Sequence, residues 1–370
     1  MWVRKVGFDH AFHLAEGWVS VTAATLMQLS PRAEPGSAGS RLVDSYSRVM
    51  GDLRISVTDR CNFRCTHCMP EEGLQWLARE SLLTFDEIER VTRMFVAQGV
   101  HEIRLTGGEP TLRPDLPELV ARLAKIPGIG SLSLTTNGFL LKKLARPLAE
   151  AGLTRINVSL DTLDHDRFHQ ITRRPWLDQV LEGLAELEKY PSIRPIKINA
   201  VGVRGFSEPE VVPLARLARD KGYVVRFIEF MPLDADGNWE HQRVLSGAEI
   251  MAILEREIMP LHPIPLVDPS STSRRYRFAD GVGEVGFINP VSEPFCSTCN
   301  RLRLTADGQL RTCLFSVDEW DLRSLLRRGA QDEELLSVVR DAVWNKELKH
   351  KINEGAAFER ASRSMSQIGG

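Results

Sequence analysis

The spacing of three cysteines most constrains what this chain can fold around. Cys61, Cys65 and Cys68 lie on one short segment in the pattern Cys-x3-Cys-x2-Cys. Three thiolates on one loop can hold a cubic iron–sulfur cluster by three irons and leave the fourth iron open to a ligand. A structural zinc site normally closes with four ligands, and only His67 offers a local fourth. The spacing therefore predicts a [4Fe-4S] cluster with one open iron.

The other three cysteines form a second group. Cys296, Cys299 and Cys313 follow the pattern Cys-x2-Cys-x13-Cys, and no cysteine is left over. Taken alone, this pattern is more typical of structural zinc with a distant histidine. Arg301 and Arg303 come directly after the first two, however, and two guanidiniums beside a metal centre can hold an anionic ligand bidentately. We therefore predict a second cluster with an anion bound next to it.

Composition limits the classes of protein that need to be considered. With 370 residues, 43% of them apolar, the chain can bury a large core. A net charge of -2 and a pI of about 6.5 argue against a general nucleic-acid-binding surface, and no apolar run is long enough to span a bilayer. Six cysteines in a chain of this length, without a convincing export signal, argue against a disulfide framework. We expect a cytoplasmic protein whose local cationic pockets recognise anions.

Strand and helix patterns alternate from Asp52 onward. Amphipathic segments such as Thr84–Gln98, which opens with a Thr84-x-x-Glu87 capping box, separate six short runs rich in β-branched residues. The predicted strands are Leu53–Val57, Glu102–Leu105, Ser131–Thr135, Arg155–Leu160, Ile196–Val201 and Val224–Phe230. This alternation predicts an α/β fold, an incomplete (β/α)6 TIM-type barrel with helices outside a parallel sheet.

We divide the chain into three segments. Residues 1–49 are interpreted as a disordered extension or an over-predicted chain start, because Pro31 to Ser40 has the composition of a flexible linker. Residues 50–270 are predicted to form the partial barrel. Residues 271–370 are predicted to form a C-terminal region that carries the second cluster, with an antiparallel strand pair near Tyr276–Phe278 and Gly283–Ile288.

Unusual residues follow the ends of five predicted strands. The first cysteine group follows strand one and Gly107-Gly108-Glu109-Pro110 follows strand two. Strands three, four and six end in Thr135-Thr136-Asn137-Gly138, Ser159-Leu160-Asp161 and Glu229-Phe230-Met231-Pro232. Because the carboxyl ends of parallel strands share one face, we expect the chemistry to lie there.

The two cysteine groups, the Gly-Gly-Glu-Pro loop, the Asn300-Arg301-Leu302-Arg303 segment and the terminal Gly369-Gly370 together resemble the GTP 3′,8-cyclase family. These are radical S-adenosylmethionine (SAM) enzymes that open molybdenum cofactor biosynthesis. The resemblance covers about Leu42 to Gly370. It implies a lyase with two [4Fe-4S] clusters that uses a 5′-deoxyadenosyl radical to convert GTP to (8S)-3′,8-cyclo-7,8-dihydroguanosine 5′-triphosphate.

The resemblance also implies roles for individual residues. The first cysteine group binds the radical-generating cluster, and the second binds a cluster whose open iron meets the guanine. SAM contacts fall on His67, Gly108, Ser159 and Met231, and His67 stands where this superfamily commonly has an aromatic residue. GTP contacts fall on Arg54, Arg104, Thr135, Lys197, Arg301, Leu302 and Arg303. Arg226 is a further candidate to bind the phosphates.

The same resemblance implies that Gly369 and Gly370 are needed for activity. It also implies cyclic pyranopterin monophosphate synthase as the partner that consumes the product, and it is compatible with a homodimer. Two other classes were weighed. A radical SAM peptide-modifying enzyme with an auxiliary cluster would generally carry more cysteines, and a zinc-stabilised nucleic-acid adaptor would show a basic patch with interleaved aromatics.

The cations on the predicted strands fit a triphosphate. GTP carries three to four negative charges, so a nearly neutral protein must gather several cations in one cavity to hold it. Arg54, Arg104, Lys197 and Arg226 lie on strands whose outer face is covered by helices, where a charged side chain would be costly to bury. We therefore predict that these four side chains point into the barrel.

Overall fold

The structure, a computed structural model, describes residues 41–234, 236–237, 239–355, 358–361 and 363–369. Most of the predicted extension, residues 1–40, and the terminal Gly370 lie outside the described residues.

The six predicted strands are present, each within one residue of its expected bounds, and they pair in chain order as parallel neighbours. The α/β fold with a mostly parallel sheet is therefore confirmed. These strands are β1 (Asp52–Ser56), β2 (Glu102–Thr106), β3 (Ser131–Thr136), β4 (Arg155–Ser159), β5 (Ile196–Gly202) and β6 (Val224–Glu229).

Six strands that follow β6 in the chain extend the same sheet at both edges. They are β7 (Leu261–Pro263), β8 (Arg274–Phe278), β9 (Glu284–Ile288), β10 (Arg301–Leu304), β11 (Gln309–Arg311) and β12 (Trp320–Asp321). β10 pairs parallel with β1 and β9 pairs parallel with β6, so the parallel part of the sheet is wider than the six predicted strands. Antiparallel partners follow outside, with β11 and β12 at one edge and β8 and β7 at the other. The boundary predicted at residue 270 therefore marks no break in the sheet.

Helices cover the outer face of the sheet. α1 (Phe85–Ala97) begins with the predicted capping box: the hydroxyl of Thr84 accepts from the Glu87 amide at 3.1 Å, and the Glu87 carboxylate accepts from the Thr84 amide at 2.7 Å. The predicted box at Ser246 likewise opens α7 (Gly247–Glu257). The other helices are α2 (Leu116–Ala124), α3 (Leu141–Glu150), α4 (His165–Thr172), α5 (Leu177–Leu187), α6 (Val211–Asp220), α8 (Leu322–Arg327), α9 (Asp332–Trp344) and α10 (Met365–Ile368).

Alternation along the strands separates an apolar outer face from a polar inner one. On β5, Ile196, Ile198 and Ala200 are buried in the core between sheet and helices, whereas Lys197 and Asn199 line cavities on the other face. This period of two is what a strand covered on one side by helices requires. No helix among the described residues combines the length and the apolar character needed to cross a membrane.

Residues 41–50 form an N-terminal hairpin that belongs to the fold, which corrects the predicted boundary at residue 49. Val43 and Val49 form an antiparallel bridge, and Leu42 and Met50 are buried in the main core. The carboxylate of Asp44 accepts from the Arg48 amide at 2.8 Å. The family resemblance begins near Leu42, but these residues carry no long apolar run, so composition alone does not separate them from the linker before them.

Candidate active site

Two cavities lie on the inner face of the sheet. The rim cavity, of about 200 Å³, is lined by residues at the carboxyl ends of the strands, including all three cysteines of the first group. The basic cavity, of about 460 Å³, is lined by residues nearer the amino ends of the same strands. Arg104 of β2 lines the basic cavity, for example, while Gly108, just after β2, lines the rim cavity. The parallel sheet thus holds two sites in line along its strands.

The thiols of Cys61, Cys65 and Cys68 converge on the rim cavity. The amides of Cys68 and Met69 both donate to the Cys65 carbonyl at 2.9 Å, which closes a tight turn. Burial and then the two neighbouring thiols raise the pKa of Cys65, and burial raises the pKa of Cys61 to about 12 and that of Cys68 to about 11. These three thiols are soft ligands that stay protonated unless a cation is bound. They therefore fit a metal cluster, whose positive irons would deprotonate them.

The Gly-Gly-Glu-Pro loop supports the first cysteine group from below. The amide of Gly108 donates to the Thr58 carbonyl at 2.8 Å, and the amide of Glu109 donates to the Arg60 carbonyl at 2.7 Å. A Cβ atom at position 108 would lie 2.4 Å from the carbonyl oxygens of Asp59 and Arg60. Only glycine lets the two loops approach this closely.

Two arginines after α4 hold the first cysteine group from the other side. Arg173 donates to the carbonyls of Arg64 at 3.0 Å and Met69 at 3.2 Å, and Arg174 donates to the carbonyl of Asn62 at 2.9 Å. These two arginines could not be predicted from the sequence, because their partners are main-chain carbonyls, which leave no trace in a sequence.

The other predicted SAM residues also line the rim cavity. His67, Gly108, Ser159 and Met231 all do so, together with three buried carboxylates, Glu109, Asp161 and Glu229. The Nε2 atom of His67 lies 3.9 Å from Oδ2 of Asp161. The arrangement brings an imidazole, a hydroxyl and a thioether around one space beside the cysteines.

None of these three carboxylates was assigned a role from the sequence. Glu109 accepts from the Asn137 amide and the Thr136 hydroxyl, both at 2.6 Å. Burial raises its pKa, as burial also raises the pKa of Asp161. Their position directly after strand ends was the signal that could have identified them.

A row of arginines crosses three neighbouring strands in the basic cavity. The pairing register sets Arg303 of β10 beside Arg54 of β1, and Arg54 beside Arg104 of β2. Like charges side by side on a sheet destabilise it. Seven cationic and four acidic side chains line this cavity, so its charge is positive.

Several of these cations have no partner of opposite charge among the residues that the structure describes. Within the described residues, no carboxylate lies within 4 Å of five of them, and Arg54 has only Asp52 at 3.9 Å. The five are Arg104, Lys197, Arg226, Arg301 and Arg303, of which Arg303 is buried beside the cavity without lining it. The buried Nε atoms of Arg54, Arg104 and Arg301 also lack a hydrogen-bond partner in the described structure.

Burial among like charges lowers the pKa values of these groups. Burial, followed by the charges of Arg226 and Arg104, lowers the pKa of Lys197 to about 7. Burial and Arg104 lower the pKa of Arg226 to about 9, and burial and Arg301 lower that of Arg303 to about 10. An anion in the cavity would raise the pKa values of all three groups back towards their ordinary values.

An Asn–Arg–Asn layer separates the two cavities. Arg226 donates to Oδ1 of Asn199 at 2.6 Å and to Oδ1 of Asn157 at 2.7 Å; Asn157 lines the basic cavity and Asn199 the rim cavity. Asn157 in turn donates to the hydroxyl of Thr135 at 3.3 Å. Thr135, predicted to contact GTP, therefore lies on the rim side of this layer, whereas Ser133 lines the basic cavity. The sequence analysis missed both asparagines, although strand alternation would place them on the inner face.

The second cysteine group borders the basic cavity. Asn300 and Arg301, which directly follow Cys299, line this cavity, and the Arg301 guanidinium lies 3.4 Å from the Cys299 sulfur. Burial opposes ionisation of Cys299, but Arg301 and then Lys346 lower its pKa to about 6. Burial raises the pKa of Cys296 and Cys313, and the Cys299 thiol raises both further.

Leu302 differs from its two neighbours on β10. Its side chain is fully buried in the apolar core and does not line the cavity. Among the described residues, no group of three or more His, Cys, Asp or Glu side chains is arranged to hold a single metal ion.

The C-terminal tail reaches the inner face of the sheet. Met365 and Ser366 line the rim cavity, and the Arg303 guanidinium donates to the Gly369 carbonyl. Gly369 has a φ of +84°, and a Cβ there would lie 2.7 Å from the Thr106 hydroxyl. The penultimate residue is therefore a glycine for reasons of both conformation and space.

Two family models match most of the chain between them. The Radical SAM superfamily model matches residues 55–218 and the Molybdenum Cofactor Synthesis C model matches residues 223–352. Three proteins named GTP 3′,8-cyclase are among the similar ones. The protein from Paenarthrobacter nicotinovorans is 43% identical over 92% of this chain and 100% of its own. Those from Rhodopirellula baltica and Pelotomaculum thermopropionicum are 45% and 46% identical, over 89% and 88% of this chain and 92% and 99% of their own.

Solved structures share the fold at much lower identity. SuiB of Streptococcus suis bound to S-adenosylmethionine superposes with a TM-score of 0.52 and 16% identity, covering 79% of this chain and 68% of that one.

Proposed function

The chain belongs to the GTP 3′,8-cyclase family of radical SAM enzymes, and we propose that it converts GTP to (8S)-3′,8-cyclo-7,8-dihydroguanosine 5′-triphosphate in the first step of molybdenum cofactor biosynthesis. The observation that carries this proposal is the basic cavity, in which four lining cations, Arg104, Lys197, Arg226 and Arg301, have no carboxylate within 4 Å among the described residues. A built but uncompensated cluster of cations is a site for a multiply charged anion.

The basic cavity would bind GTP through its phosphates. Arg54, Arg104 and Lys197 come from three different strands, so a triphosphate can be held from several sides. Arginine binds phosphate oxygens in pairs, whereas lysine acts as a point charge. The cavity volume of about 460 Å³ is within the usual range for small-molecule sites.

The rim cavity would bind the first [4Fe-4S] cluster through Cys61, Cys65 and Cys68, with SAM beside it. When bound, this pair supplies the 5′-deoxyadenosyl radical that abstracts hydrogen from the substrate. The chain's own residues do the rest. Gly108, Ser159 and Met231 line the cavity and would orient the cofactor, while hydrogen bonds between the loops after β1 and β2 hold the cysteine loop in place beside it.

The second group, Cys296, Cys299 and Cys313, would bind a second [4Fe-4S] cluster. Its position beside Asn300 and Arg301 supports this finer proposal, since a ligand in the basic cavity would lie next to it. Arg301 would then serve two anions, the thiolate of Cys299 and the substrate.

The Asn–Arg–Asn layer would orient the substrate between the two clusters. Arg226 is held by two side-chain carbonyl oxygens, which fixes its direction without neutralising its charge. An arginine oriented in this way can still bind a phosphate or ribose oxygen.

We also propose that the product passes to cyclic pyranopterin monophosphate synthase and that the protein works in the cytoplasm, where a reducing environment protects iron–sulfur clusters. A homodimer stays a prediction.

One experiment tests the proposed reaction. The protein is purified without oxygen, its iron is quantified, and it is incubated with SAM, a low-potential reductant and GTP. We expect 5′-deoxyadenosine and the 3′,8-cyclised nucleotide in equal amounts, identified by mass spectrometry and by nuclear magnetic resonance.

Matched reactions make the result specific. ATP in place of GTP should give no cyclised product, and Cys65→Ala should give neither product. Formation of 5′-deoxyadenosine without any cyclised GTP, in protein with about eight irons per chain, would refute the proposal. A modified peptide as the product would instead favour the peptide-modifying class.

A further inference from the structure

The segment around residues 346–350 contacts every loop that carries a cysteine of the second group. The carbonyls of Glu347 and Leu348 both accept hydrogen bonds from the N-terminal hairpin. The Glu347 carboxylate accepts from the hydroxyl of Thr312, next to Cys313, at 2.9 Å. The main chain at His350 lies beside Cys296. None of these contacts belongs to either cavity described above.

Arg48 joins this segment to the Cys296 loop. Its guanidinium donates to the Cys296 carbonyl at 2.8 Å, to the Glu347 carbonyl at 2.7 Å and to the Leu348 carbonyl at 3.1 Å. Asp44, four residues earlier, fixes the guanidinium from behind at 2.5 Å. Arg48 is buried, so water does not replace these bonds. One side chain thus connects three separate parts of the chain.

Lys346 joins the same segment to the main chain near the other two cysteines. Its ammonium donates to the Arg301 carbonyl at 3.1 Å and to the Thr312 carbonyl. Both carbonyls lie within two residues of a cysteine, Cys299 in one case and Cys313 in the other. The side chain of Lys346 is only 2% exposed. A lysine is rarely buried this completely, and here its partners are neutral carbonyls.

We propose that Arg48 and Lys346 form a cationic clamp that positions the second cysteine group for its cluster. Both are positioning residues, since they act through the main chain of the cysteine loops. The clamp holds the three loops in place by main-chain hydrogen bonds that do not need the metal. This inference rests on the proposed second cluster, and it assigns to the N-terminal hairpin the task of supporting a cluster built from the other end of the chain.

Charge gives the clamp a second role. Three thiolates and an iron–sulfur core carry net negative charge, which a buried site must balance. The Lys346 ammonium is bound to main-chain carbonyls two residues from Cys299 and one residue from Cys313, so its positive charge lies beside the cluster site. Removing this charge should make the cluster harder to reduce, because reduction adds a further negative charge. The neighbouring Arg301 faces the basic cavity and would be shared with the substrate.

The test isolates the second cluster. In a full-length parent in which Cys61, Cys65 and Cys68 are all changed to alanine, iron can enter only the second group. Arg48→Met, Arg48→Lys and Lys346→Met are made in this parent, and Lys351→Met, at an exposed lysine of the same segment, is the matched control. Iron per chain after anaerobic reconstitution, the rate of iron loss to a chelator and the midpoint potential from electron paramagnetic resonance are measured, without GTP or turnover.

We expect Arg48→Met and Lys346→Met to lose iron faster than the parent by about 10- to 100-fold, the usual effect of removing a partner of a metal ligand. Lys346→Met should also shift the midpoint potential to more negative values. Lys351→Met should match the parent in both. If Arg48→Met fails to fold, Arg48→Lys decides the question. This variant keeps a positive charge beside Asp44, but an ammonium lacks the planar guanidinium that binds all three carbonyls. It should therefore fold and still lose iron faster than the parent.

Other results would overturn the clamp. The clamp would be refuted if Arg48→Lys and Lys346→Met had the same iron retention and midpoint potential as the parent. It would also be refuted if the parent bound no iron. A clamp failure in a parent that holds four irons leaves the GTP reaction intact. Failure of GTP cyclisation in protein with both clusters would refute the proposed function and not the clamp.

Discussion

GTP binding should be accompanied by the uptake of a proton at Lys197. Burial and two neighbouring arginines lower the pKa of this ammonium to about 7 in the substrate-free protein, so at pH 8 only about a tenth of it is charged. A bound triphosphate adds negative charge beside the ammonium, offsets the two arginines, and returns the pKa of Lys197 towards its ordinary value of 10.5. About 0.9 proton should therefore be taken up per GTP at pH 8.

Titration calorimetry measures this directly. Anaerobic protein with both clusters is titrated with GTP, without SAM, at pH 8 in two buffers of different ionisation enthalpy. The difference in heat gives the number of protons taken up. Lys197→Met should bind GTP more weakly and take up about 0.9 proton less than the parent, whereas Lys143→Met, at an exposed position on α3, should not differ. Equal proton uptake by the parent and Lys197→Met would refute the reasoning.

The stability of the substrate-free protein gives an independent check with a fixed sign. Between pH 7 and 10.5 the unfolded chain keeps a proton on Lys197 that the folded chain has released. The free energy of unfolding therefore rises with pH across this window, by at most about 5 kcal/mol from this group. Lys197→Met removes that rise. The variant should therefore exceed the parent in free energy of unfolding by the largest amount near pH 7, and the difference should shrink as the pH rises.

Three further outcomes are expected. Gly108→Ala should destabilise the protein by about 1–3 kcal/mol in chemical unfolding, because its Cβ meets main-chain oxygens at 2.4 Å, and it should lower iron at the first cysteine group; Gly130→Ala, whose Cβ would meet nothing nearer than 3.7 Å, should do neither. Cys65→Ala should abolish SAM cleavage, whereas Cys299→Ala should leave cleavage uncoupled from cyclisation, and an equal loss of both activities in folded variants would contradict the division of labour. Deleting Gly369 and the residue after it should spare the iron content but severely reduce cyclisation, because Arg303 loses its carbonyl partner; full turnover at equal iron content would contradict this role for the tail.

The six central strands and the face that carries the chemistry could be predicted because they depend on local patterns. A strand such as β5 alternates apolar and polar residues, and turn residues follow its end, so both its bounds and its inner face can be read from the sequence. The inward direction of Lys197 follows from the same alternation together with the cost of burying a charge under helices.

Long-range pairings could not be predicted in this way. Nothing local to Arg301–Leu304 indicates that this strand pairs with β1, so the row formed by Arg303, Arg54 and Arg104 appeared only in the fold. The N-terminal hairpin was missed for a similar reason, because the partners of Arg48 are main-chain carbonyls near the opposite end of the chain. Thr135 was assigned to the GTP site by resemblance. Its position on the rim-cavity side of the Asn–Arg–Asn layer became visible only in the fold.

The pairing of β1 with β10 also affects how the chain is made. β1 lies between β2, which begins at Glu102, and β10, which begins at Arg301. During synthesis on the ribosome, one edge of β1 is therefore covered early and the other stays open until almost the whole chain has emerged. An open strand edge recruits other chains, and contacts between distant segments form slowly. Chains that stop before Arg301 should consequently aggregate or depend on chaperones, even though they contain every cysteine of the first group.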